Sequence, residues 1–120
     1  MVSEVVRSAL EREALRVEND DLSESDRVLT KNKISPFYNT DLEEILKELA
    51  PDQLVVAGIL TNLCVRSAVS DAYDRDYHIK VVTDACVSDS HETDKFTFKD
   101  LKKTRPEIEL VKTKEITVQK

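Results

Sequence analysis

The sequence predicts a single domain of the α/β class, in which a parallel β-sheet lies between two layers of helices. Short apolar runs of strand length alternate with segments of helical periodicity, at intervals of roughly 25 residues. This pattern is typical of parallel sheets with helical crossovers. The length of 120 residues suits one domain. Apolar residues make up 40% of the chain, and no run approaches the ~18 that a transmembrane helix needs.

The predicted elements follow one another along the chain. Residues 2–17 carry an apolar stripe at helical spacing and predict a helix, and the acidic stretch after it predicts a loop. Strands are predicted at 27–30, 53–58, 78–84 and 108–111, with a further short one at 115–118. Helices are predicted at 40–50, 62–75 and 89–103. We expect Thr40 and Ser90 to cap the first and last of these helices, and Pro51 to end the first.

Charge and cysteine content argue against several classes of function. A net charge of -6, without a basic stripe, argues against nucleic-acid binding. The N-terminal apolar residues are interrupted by charges, so no signal peptide is predicted. Two cysteines without an export signal indicate reduced thiols in the cytoplasm. No CxxC pair or His/Cys cluster is present, so we expect neither a metal nor another cofactor.

The single glycine of the chain, Gly58, ends the apolar run LVVAG and precedes ILTNLCV. Glycine permits backbone angles and close approaches that a Cβ forbids. A strand is therefore expected to turn sharply here into a helix capped by Thr61 or Asn62. Cys64 then falls in the first helical turn, where free N–H groups and the helix dipole favour a thiolate. The same N–H groups are suited to stabilise an oxyanion.

Position alone leaves a second interpretation open for Cys64. An unpaired cysteine beside a buried helix face is often a small core residue. Cys86 follows a strand without a glycine turn, and we interpret it as structural. His78 and His91 are expected at the surface or at helix caps.

The segment VVAGILTNLCVRSAVSDAYDRDYHIKVVTDAC resembles the isochorismatase-like cysteine hydrolases, the superfamily that includes the nicotinamidases. Its matching positions are Gly58, Thr61, Asn62, Cys64, Val65, Asp71, Ala72, Tyr77, Asp84 and Ala85. Upstream, VLTKNKISPFYNTDLEEIL is similar to the family's lysine segment. The matching positions there are Lys31, Ser35, Phe37, Thr40 and Leu42. Asp76 stands where the family has glycine. The resemblance covers about residues 26–118, and 1–25 remain as a predicted helix and acidic loop.

The resemblance implies a Rossmann-like α/β/α fold and hydrolysis of a small amide. Cys64 would attack the carbonyl carbon to form a thioester-type intermediate, which water then hydrolyses. Lys31 would stabilise the thiolate. The backbone N–H groups of Leu60 and Cys64 would form the oxyanion hole, and the Ile59–Leu60 peptide bond would be cis.

The resemblance also implies a substrate pocket, lined by Phe37, Thr61 and Asn62. An alternative for Phe37 is a place in the core. Lys31 has an alternative too, because a lysine after a strand is usually solvated and Lys33 lies two residues away. The substrate would be a small amide or a related compound.

The family's catalytic aspartate has no counterpart in the sequence. In the family this aspartate ends an apolar strand near the N-terminus, whereas Asp20, Asp21 and Asp26 of this sequence follow no such strand. The first two family strands lie between the lysine strand and the cysteine strand. An N-terminally incomplete sheet, with a gap or an exposed edge, is therefore expected, together with impaired activity and association into a homo-oligomer. Two alternatives stay open: a noncatalytic relative that binds a small molecule or forms an oligomer, and a redox-responsive protein using the same thiol.

Overall fold

The computed structural model describes residues 2–6 and 27–116. The strands are β1 (Val2–Val6), β2 (Arg27–Lys31), β3 (Leu54–Ile59), β4 (Ile79–Val87) and β5 (Glu109–Val111). The helices are α1 (Leu42–Leu49), α2 (Arg66–Tyr73) and α3 (His91–Thr104). A π-helical turn at Thr61–Val65 leads into α2, and a 3-10 turn at Thr113–Glu115 follows β5. The predicted alternation of strands and helices is confirmed from β2 to β5.

β3, β4 and β5 form a parallel sheet with β4 in the centre. Leu54 is opposite Ile79 at the start of β3, and Ile59 is opposite Val87 at its end. The prediction of a parallel sheet is therefore confirmed for these three strands. Their carboxyl ends share one edge, which is where open α/β sheets bind ligands.

β2 does not join that sheet. It pairs antiparallel with β1, so that Val2 is opposite Lys31 and Val6 is opposite Arg27. The prediction that the lysine strand belongs to the parallel sheet is wrong, because within residues 2–6 and 27–116 no backbone ladder connects β2 to β3. The gap expected between the lysine strand and the cysteine strand stays a prediction.

The two ends of the described chain depart from the sequence prediction. Val2–Val6 form a strand, so the helix predicted over 2–17 is wrong at its start. Three of these five residues are valines, whose branched side chains favour extended backbone. Residues 7–26, with the rest of that helix and the acidic loop, lie outside the described residues. Glu115 belongs to the 3-10 turn, so the strand predicted from 115 does not form there.

In the core, residues of the loop after β2 pack against the sheet and its helices. It contains Phe37, Leu42, Leu46, Val65, Val69, Ala72, Ile79, Val81, Cys86, Leu101 and Ile108. Thr40 accepts a hydrogen bond from the Leu42 N–H at 3.2 Å, and Ser90 caps α3 by accepting from the Thr93 N–H at 3.1 Å. The predicted Ser90 cap is therefore confirmed, whereas the predicted Thr40 cap is wrong: α1 starts after Asp41 without a side-chain cap, and Thr40 closes the turn before it. Among the described helices, none is long and apolar enough to cross a bilayer.

Candidate active site

The turn that presents Cys64 starts at Gly58. This glycine is buried and has a φ of 138°, a value that favours glycine because it has no Cβ. The pairing of β3 with β4 is irregular between Val56 and Gly58, which brings Gly58 opposite Cys86. The Ile59–Leu60 peptide bond is cis. The chain then enters the π-helical turn, so that Cys64 lies in the first turn of a helical segment.

Backbone hydrogen bonds close this turn around Leu60. Its carbonyl accepts from the N–H of Leu63 at 3.0 Å and from the N–H of Val65 at 3.2 Å. Neither bond uses the N–H of Cys64, which lies between Leu63 and Val65 in the sequence. The assignment of the Leu60 and Cys64 N–H groups to an oxyanion hole stays a prediction.

Lys31 belongs to the other sheet, yet its side chain reaches the cysteine. Its Nζ donates to Cys64 Sγ at 3.1 Å and to the Ile34 carbonyl at 2.6 Å. Lys31 is 2% exposed, which is rare for a lysine and excludes the solvated alternative, whereas Lys33 is exposed. An ammonium at this distance from sulfur favours the thiolate. Cys64 itself is partly exposed.

The three residues predicted to line the substrate pocket lie in different surroundings. Phe37 is buried in the core, with the Arg75 guanidinium 4.6 Å from its ring centroid. Thr61 is fully buried. Asn62 lines an open cavity of about 400 Å³ between the cysteine turn and α3. The other lining residues are Arg66, Glu92, Thr93, Phe96 and Thr97. That these three residues bind substrate stays a prediction.

The side chain of Thr61 faces Asp94 of α3 instead of the helix start. Neither Thr61 nor Asn62 caps the π-helical turn, so the predicted side-chain cap is wrong. The Thr61 hydroxyl lowers the pKa of the Asp94 carboxyl, against a smaller opposing effect of burial, and Ser88 and His91 add to the lowering. Thr61 Oγ1 and Asp94 Oδ1 lack a partner of good hydrogen-bond geometry. The contact is therefore close without being an ideal hydrogen bond.

Two residues without a predicted role connect the loop after β2 (residues 32–41, the lysine loop) to the helical segment of residues 61–73 (the cysteine helix). Ser35 donates its hydroxyl hydrogen to Asp71 Oδ2, and the same hydroxyl accepts from the Phe37 N–H at 3.2 Å. Both residues match the family pattern, but the pattern does not say that they touch. The signal that could have found Asp71 is its spacing of seven residues from Cys64, which is two helical turns on one face.

Cys86 differs from Cys64 in its exposure and in its surroundings. It is buried, and burial raises its pKa from 9.0 to about 11. A thiol with this pKa is protonated at neutral pH, in keeping with a structural role. His78 and His91 are exposed, and the part of the chain that the structure describes contains no group of three or more His, Cys, Asp or Glu placed to hold a metal.

Comparison with known proteins gives a consistent family. The isochorismatase domain matches residues 7–112, beginning closer to the N-terminus than residue 26. The ureidoacrylate amidohydrolase RutB of Methylorubrum extorquens is 45% identical over 60 residues, which cover 50% of this chain and 24% of that protein. A protein of Arabidopsis thaliana, named as a probable inactive nicotinamidase, is 34% identical over 80 residues, or 66% of this chain and 41% of that protein.

A solved structure shares the fold. The isochorismatase family protein from Desulfovibrio vulgaris superposes with a TM-score of 0.75 at 28% identity, covering 84% of this chain and 52% of that one. The chain thus spans between about a quarter and about a half of the length of these three proteins.

Proposed function

Because this chain belongs to the isochorismatase family, we propose that it cleaves the C–N bond of a small amide with Cys64 as the nucleophile. The observation that carries the proposal is the buried ammonium of Lys31, 3.1 Å from the sulfur of a partly exposed cysteine. A cation in this position stabilises the thiolate, which is the nucleophilic form. The name of one relative, an amidohydrolase, supports a C–N bond as the target.

The first half of the reaction forms a thioester. The Cys64 sulfur bonds to the amide carbonyl carbon, and the carbonyl electron pair moves onto oxygen. The N–H groups of Leu60 and Cys64 are assigned to that oxyanion. When the tetrahedral intermediate collapses, the C–N bond breaks and the leaving nitrogen gains a proton. Lys31, hydrogen-bonded to the sulfur, is placed to deliver it.

The second half consumes water. A water molecule attacks the thioester carbon, the C–S bond breaks, and the carboxylic acid leaves. The proton released by water returns to Lys31, which restores the ammonium and thiolate pair. We propose that this second step is slow, because the sequence has no counterpart of the family's catalytic aspartate. An acylated Cys64 is then expected to accumulate.

A second candidate function is noncatalytic binding of a small molecule. Two observations favour it: the name of the relative from Arabidopsis thaliana and the open cavity beside Asn62. Exposed Phe96 and polar Asn62 give that cavity an apolar and a hydrogen-bonding side.

The deciding experiment combines turnover with intact mass. The purified chain is incubated with a panel of small primary amides, and ammonia release and the mass of the protein are followed together. An acyl adduct on Cys64, absent from Cys64→Ala and retained in Cys86→Ala, supports the cysteine hydrolase. Amide binding that Cys64→Ala leaves unchanged, without adduct or ammonia, supports the binding function instead.

A further inference from the structure

We propose that Ser35 and Asp71 are positioning residues that hold Lys31 against Cys64. The inference rests on the proposed function, because it explains how the nucleophile of that reaction keeps its cation. It concerns the contact between the loop after β2, residues 32–41, and the helix that carries the cysteine.

The backbone does not set the distance between the lysine and the cysteine. Lys31 ends β2, which pairs with β1, whereas Cys64 follows β3, which pairs with β4. Adjacent strands of one sheet are held about 4.8 Å apart by their hydrogen bonds. Over the described ranges no ladder of this kind connects β2 with β3, so side chains have to fix the separation.

A closed ring of contacts supplies that connection. Lys31 Nζ donates to Cys64 Sγ and also to the Ile34 carbonyl. Ser35, the next residue, donates its hydroxyl hydrogen to Asp71. Asp71 lies two helical turns after Cys64 and shares its face, which closes the ring. Moving the lysine loop away from this face breaks the Ser35 and Lys31 contacts together.

The chemistry of the Ser35 contact suits a positioning role. A hydroxyl donating to a carboxylate is a charge-assisted hydrogen bond and is stronger than a neutral one. The Phe37 N–H donates to the same hydroxyl at 3.2 Å, which directs the hydroxyl hydrogen towards Asp71. Both side chains are partly buried, so competition from water is reduced.

A second contact fastens the same loop to the same helix. The Arg75 guanidinium stacks over the Phe37 ring, and Arg75 Nη1 donates to the Asp71 carbonyl at 2.9 Å. Its Nη2 lies 3.1 Å from Glu43 Oε1. Because these contacts do not involve the Ser35 side chain, the loop should stay folded against α2 when Ser35 is altered, and the effect of Ser35 should be one of placement.

The chain offers a matched control on the other side of α2. Arg66 forms an ion pair with Asp100 of α3, and this pair ties the cysteine helix to a different neighbour. It is partly exposed and takes no part in the ring. Asp100→Ala removes a carboxylate contact to the same helix without touching the lysine loop.

The test measures the second-order rate of Cys64 alkylation by iodoacetamide between pH 6 and pH 10, in a Cys86→Ala background. Ser35→Ala and Asp71→Ala are expected to slow alkylation at pH 7 by about tenfold, because the ammonium is then held less closely to the sulfur. Asp71→Asn, which keeps an acceptor oxygen, should recover most of the rate. Asp100→Ala should stay within about twofold, as expected for a change outside the ring.

A double-mutant cycle separates positioning from general destabilisation. If Ser35 acts through Lys31, Ser35→Ala adds nothing once Lys31 is methionine, because the two effects share one cation. An equal loss in both backgrounds overturns the inference. So does a loss that follows the melting temperature across all variants, Asp100→Ala included.

A lysine readout keeps the inference testable when the cysteine is unreactive. The protein is treated with an amine-directed acylating reagent, and peptide mass gives the rate at which Lys31 is modified. Ser35→Ala and Asp71→Ala are expected to raise that rate several-fold, because a released ammonium becomes accessible, whereas Asp100→Ala is not. Unchanged Lys31 labelling refutes the positioning role. Raised Lys31 labelling with neither amide turnover nor an acyl adduct on Cys64 keeps the positioning role and refutes the hydrolase.

Discussion

The two strand-to-helix turns at the carboxyl edge of the sheet place their cysteines in opposite environments. β3 and β4 end side by side, with Gly58 opposite Cys86 and Ile59 opposite Val87. Each strand then leads into a helix. After β3, the cysteine lies within the helical turn, partly exposed and next to Lys31. At the end of β4, the cysteine stays in the strand and is buried in the core.

The two helix starts also differ in whether a side chain accepts hydrogen bonds from their free N–H groups. At α3 the Ser90 hydroxyl accepts from the Thr93 N–H and is itself in contact with the Thr93 hydroxyl. At the cysteine turn no side chain caps the helix. Unsatisfied N–H groups at a helix start favour an anion. An uncapped helix start, a neighbouring cation and partial exposure therefore distinguish the surroundings of Cys64 from those of Cys86.

The largest effect is expected from removing the sulfur of the exposed turn. Cys64→Ala should lower amide turnover and acyl-adduct formation by at least about a thousandfold, because a covalent route without its nucleophile is lost. Cys86→Ala should keep both, apart from a loss of stability due to the small cavity. Ammonia release and intact mass provide the measurement. Equal losses in the two variants contradict the assignment of roles.

The cation is expected to have the next largest effect. Lys31→Met keeps the length of the side chain but removes the charge, and should slow Cys64 alkylation at pH 7 by about a hundredfold, the effect of losing a close cation from a thiolate. Lys33→Met removes an exposed charge two residues away and should change the rate less than about threefold. Similar losses in the two variants indicate a general effect of net charge.

Replacing the glycine tests the shape of the turn. Gly58→Ala adds a Cβ to a buried residue with a φ of 138° and should lower the free energy of unfolding by about 1–3 kcal/mol. Asp76, with a φ of 65°, provides a control of opposite sign, since Asp76→Gly relieves a left-handed residue and should be neutral or slightly stabilising. Urea titration of both variants gives the comparison. A Gly58→Ala chain as stable as the native one contradicts the need for glycine.

The smallest effect is expected from the buried Cys86 thiol, which should make the free energy of unfolding depend on pH. The Cys86 pKa is raised from 9.0 to about 11 by burial, so at pH 10 the unfolded chain has released this proton while the folded chain keeps it. Stability is therefore fully present below about pH 9 and falls as the pH rises towards 11, by at most about 2 kcal/mol. Cys86→Ala should flatten this part of the curve of unfolding free energy against pH. An unchanged slope in that variant assigns the loss to other groups.

Local sequence patterns were sufficient for the cysteine turn. Gly58 after an apolar run, with Cys64 six residues later, predicts a strand, a turn and a helix start, and all three are present. The sequence could not predict that Thr61 leaves the helix start uncapped. Its hydroxyl faces Asp94, a residue 33 positions later, and such a contact leaves no trace in a local pattern.

The N-terminal strand was missed for a different reason. In VSEVV the valines satisfy the helical spacing of three and four residues as well as the β propensity of branched side chains. Pairing with β2 decides between them, and a partner strand more than twenty residues away is a tertiary effect. The contact between Ser35 and Asp71, 36 residues apart, is out of reach for the same reason.

Because Lys31 ends a strand of one sheet and Cys64 follows a strand of another, the contact between the ammonium and the sulfur depends on how the two sheets are assembled. A chain in which the three-stranded sheet has formed but the β1–β2 ribbon has not packed against it lacks this contact. Under mild denaturant the ribbon should detach first, in the manner of a local opening, and alkylation at Cys64 should slow before the helices melt. The rate of Cys64 alkylation should therefore report whether the two sheets are assembled.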